Sequence, residues 1–99
     1  MAASLCLTLA CARDARLDQQ VDRIGQSLIE ADSSGAMRCA PRQLAIARSH
    51  LEFAELEREQ GFTARAEYHL EMADQHAEAA KLLSPAEHCA PQHVPRTRN

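Results

Sequence analysis

A chain of 99 residues allows one domain, and a globule of that size buries so modest a share of its surface that it needs a staple, a partner or very regular helix packing. Hydrophobic residues make up 45% of it and aromatics only 3%, so the apolar content is mostly Ala and Leu, strong helix formers that point to an all-α fold. Eleven Lys and Arg against fourteen Asp and Glu leave a net charge of −3, which offers no attractive field to a phosphate backbone and takes nucleic acid off the list of expected partners.

Met1 to Ala12 (MAASLCLTLACA) is an uncharged apolar run with the length of a signal-peptide core. It falls well short of the roughly 20 residues that a membrane-spanning helix needs. No Lys or Arg precedes the run, so either the true start lies upstream of Met1 or the signal is atypical. Three readings follow. Leu7-Thr8-Leu9-Ala10-Cys11 resembles a bacterial lipobox, with Thr8 where Leu is usual, and that resemblance implies lipidation of Cys11 as the mature N-terminus. Ala10-Cys11-Ala12 fits an A-x-A cleavage site, which would release a lipid-free chain beginning at Arg13. In the third reading the segment stays uncleaved and packs as a helix. Under the lipoprotein reading Ala12, rather than Asp, follows the Cys, which implies sorting to the periplasmic face of the outer membrane. Otherwise the protein is expected to be periplasmic.

From Arg13 to Asp32, Leu17, Val21, Ile24, Leu28 and Ala31 recur at spacings of 4, 3, 4 and 3, a stripe on one face of a helix. Asp14 is a candidate cap for its start, and Asp32-Ser33-Ser34-Gly35 carries turn chemistry at its end. The stripe either packs on the rest of this chain or forms a seam to a second helix.

Proline suits the first helical position, where its missing N–H would be unpaired anyway, so a helix is expected to start at Pro41. Leu44, Ala47, Leu51 and Ala54 form its stripe, with Ile46, His50 and Phe53 beside it. Gly61 is placed to end that helix in the left-handed conformation, with Phe62 positioned to touch Leu56. Thr63 is an acceptable cap for a second helix. Its stripe, Ala66, Leu70, Ala73, Ala77 and Ala80, is mostly small side chains that let two helices approach closely, and Met72, Ala79 and Leu83 flank it. Lys81 sits in the last turn, where the helix dipole favours a cation, and Ser84-Pro85 stops the helix. From Ala86 onward apolar periodicity ceases and an extended or disordered tail is expected. The organisation is thus a signal-like segment over 1–12, a helical domain over 13–89 and a tail over 90–99.

Cys39-Ala40-Pro41 and Cys89-Ala90-Pro91 bracket this helical hairpin. Two antiparallel helices of similar length, at about 1.5 Å per residue, return the chain to the level where it began. Cys39 and Cys89 then meet at the open end, opposite Gly61, and in an oxidising compartment a disulfide between them is expected. In a cytosolic protein they would be two free thiols whose spacing fits no zinc motif.

Five histidines raise the question of a metal. His69 and His76 share a helix face but lie two turns apart, about 10 Å, too far to hold one ion at Zn–N distances near 2 Å. His50 is able to face either of them across the hairpin, while His88 and His93 fall towards the tail. No H-E-x-x-H or C-x-x-C is present, so the histidines read as ordinary interface or surface residues, with no metal and no cofactor expected. Ser27, Ser49 and Ser84 lie in no nucleophile-elbow context, and the three glycines form no phosphate-binding loop. Glu52, Glu55, Glu57 and Glu59 look like a solvated helix face. No catalytic site is expected.

The hairpin resembles a single tetratricopeptide unit: Phe53-Ala54 stands where that repeat has Leu-Gly, Gly61 falls at the inter-helix turn, and Ala66-x-x-x-Leu70 matches its A-x-x-x-F. It departs at His50, in the usual Trp position, and at Glu57, in the usual Tyr position. Cys39-Ala40-Pro41-Arg42-Gln43-Leu44-Ala45, with His50-Leu51-Glu52-Phe53-Ala54, is similar to an uncharacterised helical domain of Gram-negative envelope lipoproteins, often found before an OmpA-like domain. The sequence to Asn99 holds no OmpA-like domain, so peptidoglycan anchoring is not carried over. The resemblance implies a non-enzymatic outer-membrane lipoprotein that works as a periplasmic scaffold or adaptor. Its expected partners are another envelope protein or a second copy, reached through helix packing, and the membrane, reached through the lipid. The alternative is a soluble periplasmic metal-binding or redox protein that uses the histidines with Cys39 and Cys89.

Overall fold

The computed structural model describes residues 2–91, and the side chains from Leu7 onward. Among the described residues the chain is helical with no strand, and its elements are α1 (Ala2–Ser34), α2 (Ala36–Cys39), α3 (Pro41–Glu59), α4 (Thr63–Leu82) and α5 (Ala86–Cys89). The all-α hairpin with an N-terminal amphipathic helix and a disulfide staple is therefore the observed architecture. Helices α3 and α4 form the hairpin, and α1 lies along both.

Charged pairs show how α1 is laid down. Arg13 Nε meets Glu67 Oε1 at 3.0 Å, Arg23 Nη1 meets Asp74 Oδ1 at 3.0 Å, and Glu30 Oε2 meets Lys81 Nζ at 3.2 Å. Numbers rise together along the two helices, so α1 runs parallel to α4. Asp18 pairs with Arg58, and Asp32 with Arg48 at 3.4 Å, so α1 runs antiparallel to α3. These exposed pairs specify register more than they add stability.

Stability comes from what lies beneath them. Leu17, Ile24, Leu28 and Ala31 of α1 are buried against Leu44, Ala47 and Ala54 of α3 and Leu70, Ala73, Ala77 and Ala80 of α4, with Val21 and Leu51 partly buried at the edge. Each fully buried Leu or Ile contributes roughly 1.5–3 kcal/mol. The alanines contribute less area but let the helix axes approach until Leu17 and Ile24 fill the space between them. The stripe of α1 thus packs on its own chain.

At the closed end, Phe62 N–H donates to Glu57 O at 2.8 Å and Gly61 N–H donates to Arg58 O at 3.0 Å, with Gly61 at φ 83°. This is the paired-bond C-terminal cap that satisfies two orphan carbonyls of α3. At the other end Gly35, at φ 100°, breaks α1 from the single turn of α2, and Pro41 opens α3 as expected.

Several local expectations are corrected. Asp14 caps nothing, because α1 already begins at Ala2 and runs through it: Ala2 to Ala12 contains no residue that stops a helix. Thr63 is the first helical residue of α4 rather than its cap; Phe62 holds the cap position and makes no side-chain capping bond. Phe62 itself stays half exposed, with the Arg65 guanidinium 4.7 Å above its ring. Ala86–Cys89 is a helical turn, not an extended tail, because Pro85 supplies a carbonyl to both the His88 and Cys89 N–H groups at 3.0 Å. The rest of the expected tail, residues 92–99, lies outside the described residues. Glu57 leaves the solvated glutamate face: its side chain is 21% exposed and faces Arg65 of α4.

Candidate functional site

Three places collect the residues that the sequence singles out: the N-terminal arm of α1, the open end of the hairpin and the flank where α3 meets α4 away from α1.

The arm precedes the core. Burial along α1 begins at Leu17, and residues 7–16 are exposed, Leu7 at 67% and Leu9 at 66%. Cys11 is a free, exposed thiol on this arm. Because α1 runs parallel to α4, the arm passes the closed end of the hairpin, where Leu9, Ala10, Arg13 and Asp14 line a shallow depression with Arg58 and Gly61. Among the described residues no helix is long and apolar enough to cross a membrane.

At the open end Cys39 and Cys89 form a disulfide with their Cα atoms 5.9 Å apart. Each cysteine closes a one-turn helix, α2 or α5, so the twin tripeptides occupy equivalent places on the two sides of the bridge. The bridge takes both sulfurs, so neither stands as a free thiolate ligand in this oxidised state. Ser84, which follows α4, is 1% exposed, and its hydroxyl has no hydrogen-bond partner among the described residues.

The flank holds His50, His69 and His76. His69 and His76 precede the buried Leu70 and Ala77 by one residue each, which turns them away from Glu67, Asp74 and Glu78, the carboxylates that meet α1. His50 reaches them from α3. Its Nδ1 lies 2.9 Å from His69 Nδ1, and its ring stacks on that of His76 with centroids 6.3 Å apart and planes 8° from parallel. His76 Nδ1 donates in turn to Gln43 Oε1 at 2.6 Å. Phe53 and Tyr68 close the cluster, each with its ring centroid within 5.5 Å of His69. Burial, then the neighbouring His69 and His76, lowers the pKa of His50 below its ordinary value of 6.5. The expectation that His69 and His76 stand apart therefore holds, but His50 joins them into one line.

A different electrostatic pattern runs along the α1–α4 groove, where arginines at 13, 16 and 23 face carboxylates at 67, 71 and 74. The opposing charges cancel, so the groove presents no net field to an anion. Further along it, Lys81 holds the Glu78 carboxyl below the usual carboxylate range, with help from the Ser27 hydroxyl, and Glu78 and Glu30 raise Lys81 in turn. Searches of protein-family models, curated proteins and solved structures return no match to this chain.

Proposed function

We propose that this protein is an outer-membrane lipoprotein, tethered through Cys11, whose stapled three-helix body serves as a periplasmic scaffold or adaptor for another envelope protein. The observation that carries this reading is the division of α1 into an exposed apolar arm bearing Cys11 and a buried stripe that begins at Leu17. A chain that begins at Cys11 keeps every buried residue of the helical core, so processing there leaves the fold whole. The bridge between Cys39 and Cys89 supports an oxidising compartment. With a lipid on Cys11, the Gly61 turn would stand next to the membrane and the bridged end about 35 Å away along α1. Exposed Phe53 and Tyr68 on the α3–α4 flank would then be offered to a partner by helix-on-helix contact.

Intact mass of the protein recovered from an envelope fraction of its native host tests the tether. A diacyl or triacyl adduct on a chain beginning at Cys11 is the expected result. A lipid-free chain beginning at Arg13, or one that retains Met1, overturns it. Crosslinking from the α3–α4 flank, followed by mass spectrometry, should return one envelope protein in stoichiometric amount, and the absence of any such partner would sink the adaptor role.

A further inference from the structure

The tether proposed at Cys11 comes with almost no spacer. Only residues 12–16 separate it from Leu17, where burial begins, and Arg13 among them already pairs with Glu67 of α4. Fully extended, the chain from Cys11 to Leu17 spans about 20 Å; as the helix it forms, it spans about 9 Å. Leu17 lines the same groove as Leu70, and Leu70 lies about 10 Å along α4 from the first residue of that helix, Thr63. Cys11 and the Gly61 turn therefore stand at nearly the same level of the body. A lipid on Cys11 brings the turn to the headgroup layer.

What the turn presents suits that layer. None of the two phenylalanines and one tyrosine of the chain enters the core, and all three are about half exposed. Phe53 and Tyr68 lie against His69 on the α3–α4 flank, whereas Phe62 occupies the turn, with Leu56, also half exposed, in the last turn of α3. The Arg65 guanidinium lies 4.7 Å from the Phe62 ring centroid. An apolar body with a cationic head is the build that settles at a membrane interface, the ring among the upper acyl carbons and the guanidinium among the phosphates.

We infer that the Gly61 turn is a second membrane contact, through which Phe62 and Leu56 enter the headgroup layer of a zwitterionic phospholipid surface beside the acylated Cys11. The inference rests on the tether at Cys11 and adds to it. The zwitterionic surface follows from charge. Arg13 is paired with Glu67, Arg58 with Asp18 and Arg65 with Glu57, and exposed Glu59 closes α3, so the turn holds no cationic excess to draw anionic lipid. A single tether lets a body swivel about a point. Two contacts hold it upright and keep the flank with Phe53 and Tyr68 in one orientation towards a partner.

The test takes the acylated protein from the envelope of its host, carrying Phe62→Trp in a chain with no other tryptophan, and reconstitutes it in phosphatidylcholine vesicles. Intact mass establishes the adduct on Cys11, circular dichroism establishes the fold, and Leu56→Trp reports the same contact should F62W fail to fold. The indole should emit further to the blue than that of Leu82→Trp, a position 83% exposed at the opposite end of α4, and brominated lipid should quench it while sparing L82W. Added phosphatidylglycerol should change neither. An acylated F62W protein whose indole stays in water overturns the contact and leaves the tether standing; a chain without acyl groups overturns both. Equal quenching of L82W overturns the end-on geometry, and quenching that needs phosphatidylglycerol overturns the zwitterionic surface. Protection of the indole in envelope membranes but not in pure lipid would give the turn to a protein partner and overturn the lipid contact.

Discussion

The two ends of the hairpin are both turned by a left-handed glycine, Gly35 at φ 100° and Gly61 at φ 83°, and yet they are built on different principles. At the closed end the chain is continuous, two backbone hydrogen bonds complete the turn, and a Cβ on Gly61 would meet nothing within 4 Å. Gly61 is needed for its backbone angles alone. At the open end, the neighbouring end of α1 and turn of α2 have to meet the turn of α5, which is distant in sequence. There a Cβ on Gly35 would overlap the Cys89 carbonyl group and come within 2.7 Å of Ala90 N. Gly35 is needed for its angles and for the space it leaves. Sequence-local structure secures one end; close approach and a covalent bond secure the other.

Substitutions at the ends break this comparison in a definite order. Gly35→Ala should have the largest effect, at least about 4 kcal/mol, because it adds a backbone clash to left-handed strain and drives α5 off the bridge. Thermal unfolding together with a free-thiol assay checks it, and an alanine variant with a normal bridge and a normal melting temperature would refute the close-approach reading. The C39S/C89S double variant should lose about 3 to 4 kcal/mol, the loop-closure entropy of a 50-residue separation, read from the shift in urea midpoint. Gly61→Ala should cost only about 1–2 kcal/mol, the left-handed conformational penalty without a clash. If G61A proved as damaging as G35A, the closed end would have to hold a contact that the present geometry lacks.

How far each end was legible in the sequence follows from the same contrast. Gly61 with an apolar stripe on either side announces a turn whatever the tertiary structure, and the periodic stripes of α1, α3 and α4 are buried where their spacing placed them. The bridge was legible because equal helix lengths return the chain to its starting level. The extension of α1 back to Ala2 was one of three readings left open, since a signal-like run and a helix share the same composition. A single turn such as α5 is too short to show a period. The approach of Gly35 to Cys89 joins positions 54 residues apart and leaves no local trace. The histidine cluster was half legible: periodicity separated His69 from His76, but only the packing of α3 on α4 decides that His50 points its Nδ1 at one and stacks on the other. Nothing in the sequence marked Gln43 as the partner of His76.

Midway between the two ends, His50 provides the smallest and most specific prediction. Its folded-state pKa lies below the ordinary 6.5, first through burial and then through His69 and His76. The unfolded chain therefore takes up a proton at about the ordinary value while the folded chain resists it. The stability concerned is fully present above pH 6.5 and is lost as the pH falls through the lowered folded value. Urea midpoints at pH 7.5 and 5.5 should show a loss on acidification that shrinks in His50→Gln and is smaller than the Gly61→Ala effect. The loss should be the same with the disulfide intact or absent, because the histidine pair and the bridge share no contact and distant effects add. An acid response that disappears in C39S/C89S would mean that the bridged end, rather than the packing of α3 on α4, holds His50 against His69.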